Sequence, residues 1–417
     1  MQKNPAKDLL EAIEKASEDL RQLSLTIHDN PEVGYQETLA HKTLTDYLVK
    51  QGFHVTKSAC GIETAFIAEY VQLGGEHRHQ SKDLDTSAPL RSVGFCSEFD
   101  ALPEPVGHGC GHNLIAIAGV AAALGLKRAL EKNRIRGKVR LLGTPAEETL
   151  GGKRPMLERG AFKGLDACLM VHPGPVDILY RNPLGAGRLE VAFHGKAAHA
   201  SASPWEGINA LDAYCMAYNA FGVLRQQTLP SNRIHSIITN GGQAPNIIPE
   251  LVTGVVMYRA TKKEDFEKLH DQLVEILESA AEANGCTVTI EKVMEYLPLN
   301  NNALLTDRFG AHMEAFGAHY MGRQVDETYP TGSTDMGNVT HAMPGFHPVF
   351  NITSLKGERE SGLSTHSILF AERARTETAH KTAIRAGKAL SLTGLDVILD
   401  AEFTKNVRKE YDASQQQ

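Results

Sequence analysis

The sequence predicts an α/β fold in which a smaller module interrupts a larger sheet domain. Three observations carry this reading. Short apolar runs of strand character alternate with helical periodicity over 1–184 and again over 298–417, the pattern of a sheet with helices on both faces. Between 185 and 297 the rhythm changes to strand, helix, strand, strand, helix, strand, the ferredoxin-like βαββαβ plan. The residues best suited to chemistry stand at the ends of predicted strands, where open α/β sheets form their ligand crevice. The chain has 417 residues, 42% of them hydrophobic, which exceeds one ordinary domain and is enough for sizeable cores.

Residues 6–30 space Leu9, Leu10, Ile13, Ala16, Leu20 and Leu23 along one helical face. A second helix over 37–51 stops near Gly52, and strands follow at 53–57, 63–70 and 91–98. The stretch 74–89, GGEHRHQSKDLDTSAP, is polar, punctuated by Gly and Pro, and aperiodic. It reads as a surface loop in which His77 and His79 are solvated rather than ligating. A largely apolar helix covers 113–131, and strands cover 138–143 and 167–171. Inside the module the order is strand 189–195, helix 204–224, strands 233–240 and 250–260, helix 261–284 and strand 286–293. Thr261 and Glu264 stand at capping-box spacing at the start of that second helix. The chain returns with helix 302–317, a Gly/Ser turn, strand 348–354 and one long helix over 366–393. Beyond about 405 the tail is polar and reads as frayed.

Lys and Arg total 43 against 50 Asp and Glu, a net charge of -7, so no basic field recommends nucleic acid or anionic lipid as partner. No run of about 18 apolar residues is seen, which argues against a membrane span. The charged, amphipathic N-terminal stretch lacks the apolar core of a signal peptide. The six cysteines (Cys60, Cys96, Cys110, Cys168, Cys215, Cys286) are scattered, mostly in apolar runs, as in a reducing compartment. A cytoplasmic location is the expectation.

The densest chemical signal is GHGCGHN at 107–113. Thiolate and imidazole are good ligands for zinc and similar ions, glycines let backbone approach closely, and a helix N-terminus favours the thiolate. Alone, a buried thiol beside a capping histidine accounts for it equally well. The second signal is PAEET at 145–149, after an apolar strand. Glu147 and Glu148 are adjacent on an extended segment and point opposite ways, so one can bind metal while the other faces substrate. Two such charges are costly together unless cations are present, and a solvated acidic loop is the plainer alternative. His172 ends an apolar strand, where a satisfied core histidine is the plain reading; His366 opens the last long helix, where capping is. Taken together, Cys110, His112, Glu148, His172 and His366 supply N, O and S ligands, each at an element end. Two metals sharing a bridging thiolate and a bridging water would use all five. Glu147 would remain within reach of that water, the layout of a two-metal hydrolase.

The chain resembles the M20 family of metallopeptidases and amidohydrolases, in the branch of indole-acetyl-amino-acid, hippurate and aminobenzoyl-glutamate hydrolases. The likeness runs in family order through LSLTIHDNPEVGYQET, FDALPEPVGHGCGHN, PAEET with the following GGK, VHPG, GKAAHASASPWEGINALDA, GGQAPNIIPE, GSTDMGNV and THSILFAE. GHGCGHN and GSTDMGNV are most similar to the peptidase M20 domain-containing protein 2 group, which includes dipeptidases for β-alanyl-lysine and Xaa-Arg, Xaa-Lys or Xaa-ornithine. The resemblance implies a zinc-peptidase-like catalytic domain with a mixed central sheet and an inserted lid and dimerisation domain. It implies that Cys110 bridges two metals, that His112, Glu148, His172 and His366 are ligands, that Glu147 is the general base, and that Asp100 is a supporting acid. It also implies that His199 reaches an active site, in several relatives that of the partner subunit, and that Asn246 and Arg259 hold the substrate carboxylate or scissile carbonyl. Ser333 and Thr334 fit a loop bordering the substrate; Asp335 is also readable as a helix cap. The loop 74–89 is longer than the family usually shows.

The expected function is therefore metal-dependent hydrolysis of the amide bond of a small dipeptide or N-acyl amino acid by a homodimer. Two divalent ions are expected, zinc first, with manganese or cobalt left open. The alternatives are an aminoacylase-like N-acyl amino-acid amidohydrolase and a non-catalytic metabolite binder. An intact Glu147 beside a full ligand set argues against the binder.

Overall fold

The computed structural model describes residues 4–74, 90–326 and 332–415, so His77 and His79 lie outside the described residues. The chain divides into two compact units. One holds the chain up to Arg181 and most of the chain from Leu299 onward; the other holds Asn182–Pro298 and the stretch ending at Gly337.

The first unit opens with α1 (Pro5–His28), α2 (Thr38–Lys50), β1 (His54–Lys57), β2 (Phe66–Gln72), β3 (Ser92–Ser97), α3 (His112–Asn133), β4 (Gly137–Gly143), α4 (Lys153–Glu158), β5 (Ala167–Leu169) and β6 (His172–Gly174). The second unit follows with β7 (Gly185–His194), α5 (Ala210–Leu224), β8 (Arg233–Asn240), β9 (Leu251–Ala260), α6 (Lys263–Ala283) and β10 (Thr287–Tyr296). The chain then adds α7 (Ala303–Ala315), α8 (Arg323–Asp326), α9 (Met336–Ala342), β11 (Gly345–Phe346), β12 (Val349–Asn351), α10 (Ile368–Ala374), α11 (Glu377–Leu399) and α12 (Ala401–Ser414).

The first unit carries a six-stranded mixed sheet in the order β1-β2-β4-β3-β5-β11. β1, β2 and β4 pair antiparallel, whereas β4, β3, β5 and β11 run parallel. β3 reads SVGFCS and every residue in it is buried, as a parallel strand covered on both faces must be. α3 packs against this strand and against α1 and α11. Contrary to the expectation from the sequence, α3 is by length and composition apolar enough to cross a membrane; 89% of its most apolar stretch is buried in the protein, so it is a core helix. A two-stranded parallel pair, β6 with β12, carries His172 at its start.

The second unit is an antiparallel four-stranded sheet in the order β10-β7-β9-β8, against which α5 and α6 pack. β9 alternates buried and half-buried side chains, and α6 buries Phe266, Leu269, Leu273 and Leu277 at helical spacing. Several expectations need correction. α5 starts at Ala210, because Pro204–Glu206 is a separate 3-10 turn and Asn209 caps the helix through the Leu211 amide. α6 has no side-chain cap, so Thr261 and Glu264 form no capping box. The expected single helix over 366–393 breaks at Arg375, and Thr376 caps α11 through the Ala379 amide. The tail is not frayed: Asp400 caps α12, which buries Phe403, Val407 and Tyr411, and Tyr411 Oη donates to the His341 carbonyl at 2.7 Å. Spacing of four residues places all three on one face despite the polar composition.

Candidate metal centre

Four loops of the first unit bring the five expected ligands together. His112 is the first residue of α3, and Cys110 lies in the loop before it. Glu147 and Glu148 follow β4, and His172 opens β6. His366 precedes α10, whose cap is Ser367, so it does not cap the last helix as its position suggested. The glycines flanking Cys110 explain how its loop fits between the two histidine loops. A Cβ on Gly109 would come within 2.9 Å of the Ser367 carbonyl oxygen, and one on Gly111 within 2.8 Å of the Pro173 ring. The His366 amide closes the contact by donating to the Gly109 carbonyl at 2.8 Å. Ala146 and His366, on either side of the cluster, hold φ of +61° and +63°. Side chains with a Cβ seldom adopt such values, and they collect at functional sites.

The ligand atoms of the five expected residues sort into two triads that share the thiol, and a third group, Glu98, His112 and Glu147, adjoins them. Cys110, His112 and His172 form one, all buried; Cys110, Glu148 and His366 form the other, the last of them exposed; within each the ligand atoms lie within 4.8 Å of one another. Cys110 Sγ is 3.5 Å from His172 Nε2, and Glu148 Oε1 is 3.3 Å from His366 Nε2. Hydrogen bonds on the far side of each buried ring fix its tautomer. His112 Nδ1 donates to Asp100 Oδ1 at 2.8 Å, and His172 Nδ1 donates to the Pro173 carbonyl at 2.6 Å. In the neutral rings both Nε2 lone pairs therefore face inward, as metal-binding histidines require. His112 Nε2 and Glu148 Oε1 are buried and make no hydrogen bond among the described residues, which a cation at this point would remedy. Asp100 also accepts the Glu148 amide at 2.9 Å, so one carboxylate orients two of the expected ligands. Glu147 Oε2 lies 4.0 Å from His112 Nε2 on the same cluster.

The electrostatics call for positive charge. Burial opposes a charged His112, yet the Asp100 carboxylate that accepts its Nδ1 proton outweighs it and raises the ring well above its ordinary range. Burial, then the Glu148 charge, pushes the Cys110 thiol up, so a thiolate here depends on a bound cation. Burial, then the Arg181 charge, holds His172 well below its usual range and keeps it neutral, the ligating form. Burial would raise Glu148, but the His366 ring 3.3 Å from its Oε1 and the charge of His112 bring it down to about 2.

The remaining expected residues lie in the second unit and fall into two groups. His199 is exposed, and its Nδ1 accepts from the Ser201 and Ala202 amides at 3.3 and 3.2 Å, which leaves Nε2 as a proton-bearing donor. Asn246 is beside it in the backbone, its carbonyl taking the Ala200 amide at 3.0 Å. Arg259 on β9 donates to Ser333 Oγ at 2.7 Å, and Thr334 next to it is buried and accepts the Met336 amide at 3.2 Å. Asp335, read as a helix cap, is buried immediately before α9.

Sequence reasoning missed five contributors. Glu98 and Lys153 form a fully buried ion pair, and the other Glu98 oxygen lies 3.7 Å from His112 Nε2. Arg181 sits within 3.4 Å of His347 Nδ1, and the His347 ring packs 5.6 Å from that of His172. Glu37, also fully buried, accepts the Ala146 amide. Lys153 and Glu37 stood inside recognised motifs without a role, and neither carried a local signal of its partner.

A model of peptidase family M20/M25/M40 matches residues 91–365. A Mus musculus protein named Xaa-Arg dipeptidase is 38% identical over 415 residues, covering 98% of this chain and 92% of that protein. A p-aminobenzoyl-glutamate hydrolase subunit from Escherichia coli (strain K12) is 27% identical, covering 96% of this chain and 93% of its own. Among solved structures, a Bacillus subtilis protein described as a dinuclear metal binding peptidase from the M20 family aligns with a TM-score of 0.59. It is 18% identical and covers 89% of this chain and 98% of that one, a likeness of fold.

Proposed function

The chain belongs to peptidase family M20/M25/M40, and on that premise we propose that it hydrolyses the amide bond of a dipeptide or N-acyl amino acid with two divalent metal ions. The observation that carries the reading is the pair of ligand triads sharing Cys110, with a carboxylate that belongs to neither, Glu147, at their edge. Bound ions would supply Lewis-acid polarisation of the scissile carbonyl and ease deprotonation of water. A bridging thiolate favours zinc; imidazole and carboxylate also suit manganese or cobalt. Glu147 takes a proton from the attacking water at its carboxylate and passes it to the leaving nitrogen. Asp100 accepts the Nδ1 proton of His112, which points Nε2 at the cluster and makes it a stronger donor to a bound ion. His199, with Nε2–H free to donate, is assigned to the developing oxyanion, and Arg259, Asn246, Ser333 and Thr334 to orienting the substrate.

The mouse relative's name makes a dipeptide ending in arginine the first substrate to test. The relationship to an aminobenzoyl-glutamate hydrolase keeps an N-acyl amino acid as the second. A homodimer is part of the reading. In its support, β8 and β10 are open edges of the second unit's sheet, and β8 exposes Ile237 and Ile238. Six free cysteines accord with a reducing, cytoplasmic setting.

The test is amine release from both substrate panels by wild type and Glu147→Gln, with zinc, manganese or cobalt added and with EDTA. The Gln variant is expected to keep its metal and lose about 10²–10⁴-fold in kcat, as loss of a general base does. More than about a tenth of wild-type kcat would contradict the assignment. Mixing Glu147→Gln with His199→Ala under subunit exchange tests the partner role: activity returns if His199 acts across a dimer.

A further inference from the structure

We infer that Glu37 is a positioning residue for the general base: its carboxyl holds the Ala146 backbone in the left-handed turn that presents Glu147 to the ligand cluster. The inference rests on the hydrolase reading above, in which Glu147 is that base. Glu37 belongs to NPEVGYQET, the segment joining α1 to α2, which carries no ligand. Its neighbours there have local tasks. Glu32 accepts the Leu39 and Ala40 amides, each at 2.9 Å, and so caps the start of α2. The Glu32 carbonyl takes the Ala101 amide at 2.8 Å, and Val33 forms a bridge with Ala101, next to Asp100. Glu37 instead reaches across 109 positions of sequence, and its Oε1 accepts the Ala146 amide at 2.8 Å.

Two features make this bond more than packing. Glu37 is completely buried, an expensive place for a carboxyl unless its bond is needed. Ala146 is buried at φ +61°, a conformation an alanine leaves readily when nothing holds it. The Ala146 carbonyl is secured within its own turn by the Gly151 amide at 2.9 Å. Its amide is the end held from outside, by Glu37. Release of that end lets φ relax toward negative values and rotates the peptide that leads into Glu147.

Glu37→Gln and Glu37→Met separate acceptor from volume and charge. Both match the side chain in length and bury no charge, but only Gln keeps an oxygen for the Ala146 amide. Both variants are expected to fold and to load metal like wild type. Gln should hold kcat within about threefold, while Met should lose about 10- to 100-fold in kcat with KM little changed, the size of effect a misplaced catalytic group produces. Adding Ala146→Gly to Glu37→Met should recover part of the loss, because glycine occupies the left-handed region unaided. Wild-type kcat in the Met variant, or a Gln variant as slow as Met, overturns the inference. So does a Met variant that fails to fold or to hold metal, since Glu37 would then serve the whole fold. Glu147→Gln in the same assay keeps the two readings apart. If it retains turnover, the base assignment has failed; if it is dead while Glu37→Met is intact, only the role of Glu37 has.

Discussion

Lys153→Met should be among the most damaging single substitutions outside the ligand set. Lys153 and Glu98 are both fully buried, and the ammonium bonds one oxygen of the Glu98 carboxylate. Methionine keeps the length and the methylenes, so packing is largely preserved and the loss is electrostatic. Removing one member of a buried pair strands the other charge, at a cost of about 3–5 kcal/mol. The second Glu98 oxygen is 3.7 Å from His112 Nε2, so a cation in the ligand cluster compensates part of the stranded charge. A charged His112 stands in that place when no ion is bound, so the metal-free and metal-loaded proteins should lose similar amounts, somewhat below the full figure. Replacing both residues, Lys153→Met with Glu98→Leu, removes the stranded charge and should restore most of the stability. Urea unfolding of wild type, the single variant and the double variant, each with and without metal, measures all three effects. A single-variant loss below about 1 kcal/mol in the metal-free protein would refute the reasoning, as would a double variant no more stable than the single.

Cys110→Ala should lower bound metal per chain, whereas Cys215→Ala, exposed on α5, should not; unchanged stoichiometry in the first removes the shared thiolate. Burial, then the charge of Asp100, pushes Glu37 up to about 7. Its folded value exceeds the ordinary 4.5, so its stabilising share is complete below about pH 4.5 and is lost as pH rises through about 7. Glu37→Gln should accordingly gain stability over wild type at pH 8, by up to about 2–3 kcal/mol, with no such gain at pH 4.5 in urea melts. Truncation after Leu399 removes the buried side chains of Phe403, Val407 and Tyr411, each worth about 1.5–3 kcal/mol when fully buried, so an unchanged urea midpoint would show that α12 does not stabilise the first unit.

The parts of the site that were legible in the sequence are those with short-range signatures. GHGCGHN packs two candidate ligands and their glycines into seven positions, and PAEET sets another beside an acid of different direction, so element ends alone suggested a metal cluster. The alternation of periods likewise exposed the helix-covered sheet and the change of rhythm after 184, while its mixed character was implied by the family resemblance. What stayed hidden depends on distance in sequence. Glu98 and Lys153 are 55 positions apart, and nothing local in either stretch announces a buried pair. His347 resembles any strand-end histidine until the sheet sets it against His172. The errors at Thr261 and in the tail share another cause. A capping motif is a propensity that the turn before α6 overrides, and overall polarity masked the three apolar residues on one face of α12.

The two triads differ in their access to water. Cys110, His112 and His172 are buried, while the second triad ends in His366, whose side chain is 56% exposed. Ligand exchange begins where one donor can swing into solvent and let water or a chelator take its place. The ion on His366 and Glu148 would thus trade with the medium quickly, and the ion on His112 and His172 would remain through many such exchanges. Chelation followed in time should show two phases of equal amplitude, the fast one accelerated by His366→Ala. A cell short of one metal could then refill the outer position with another, giving a mixed-metal enzyme whose inner ion records the conditions under which the chain folded.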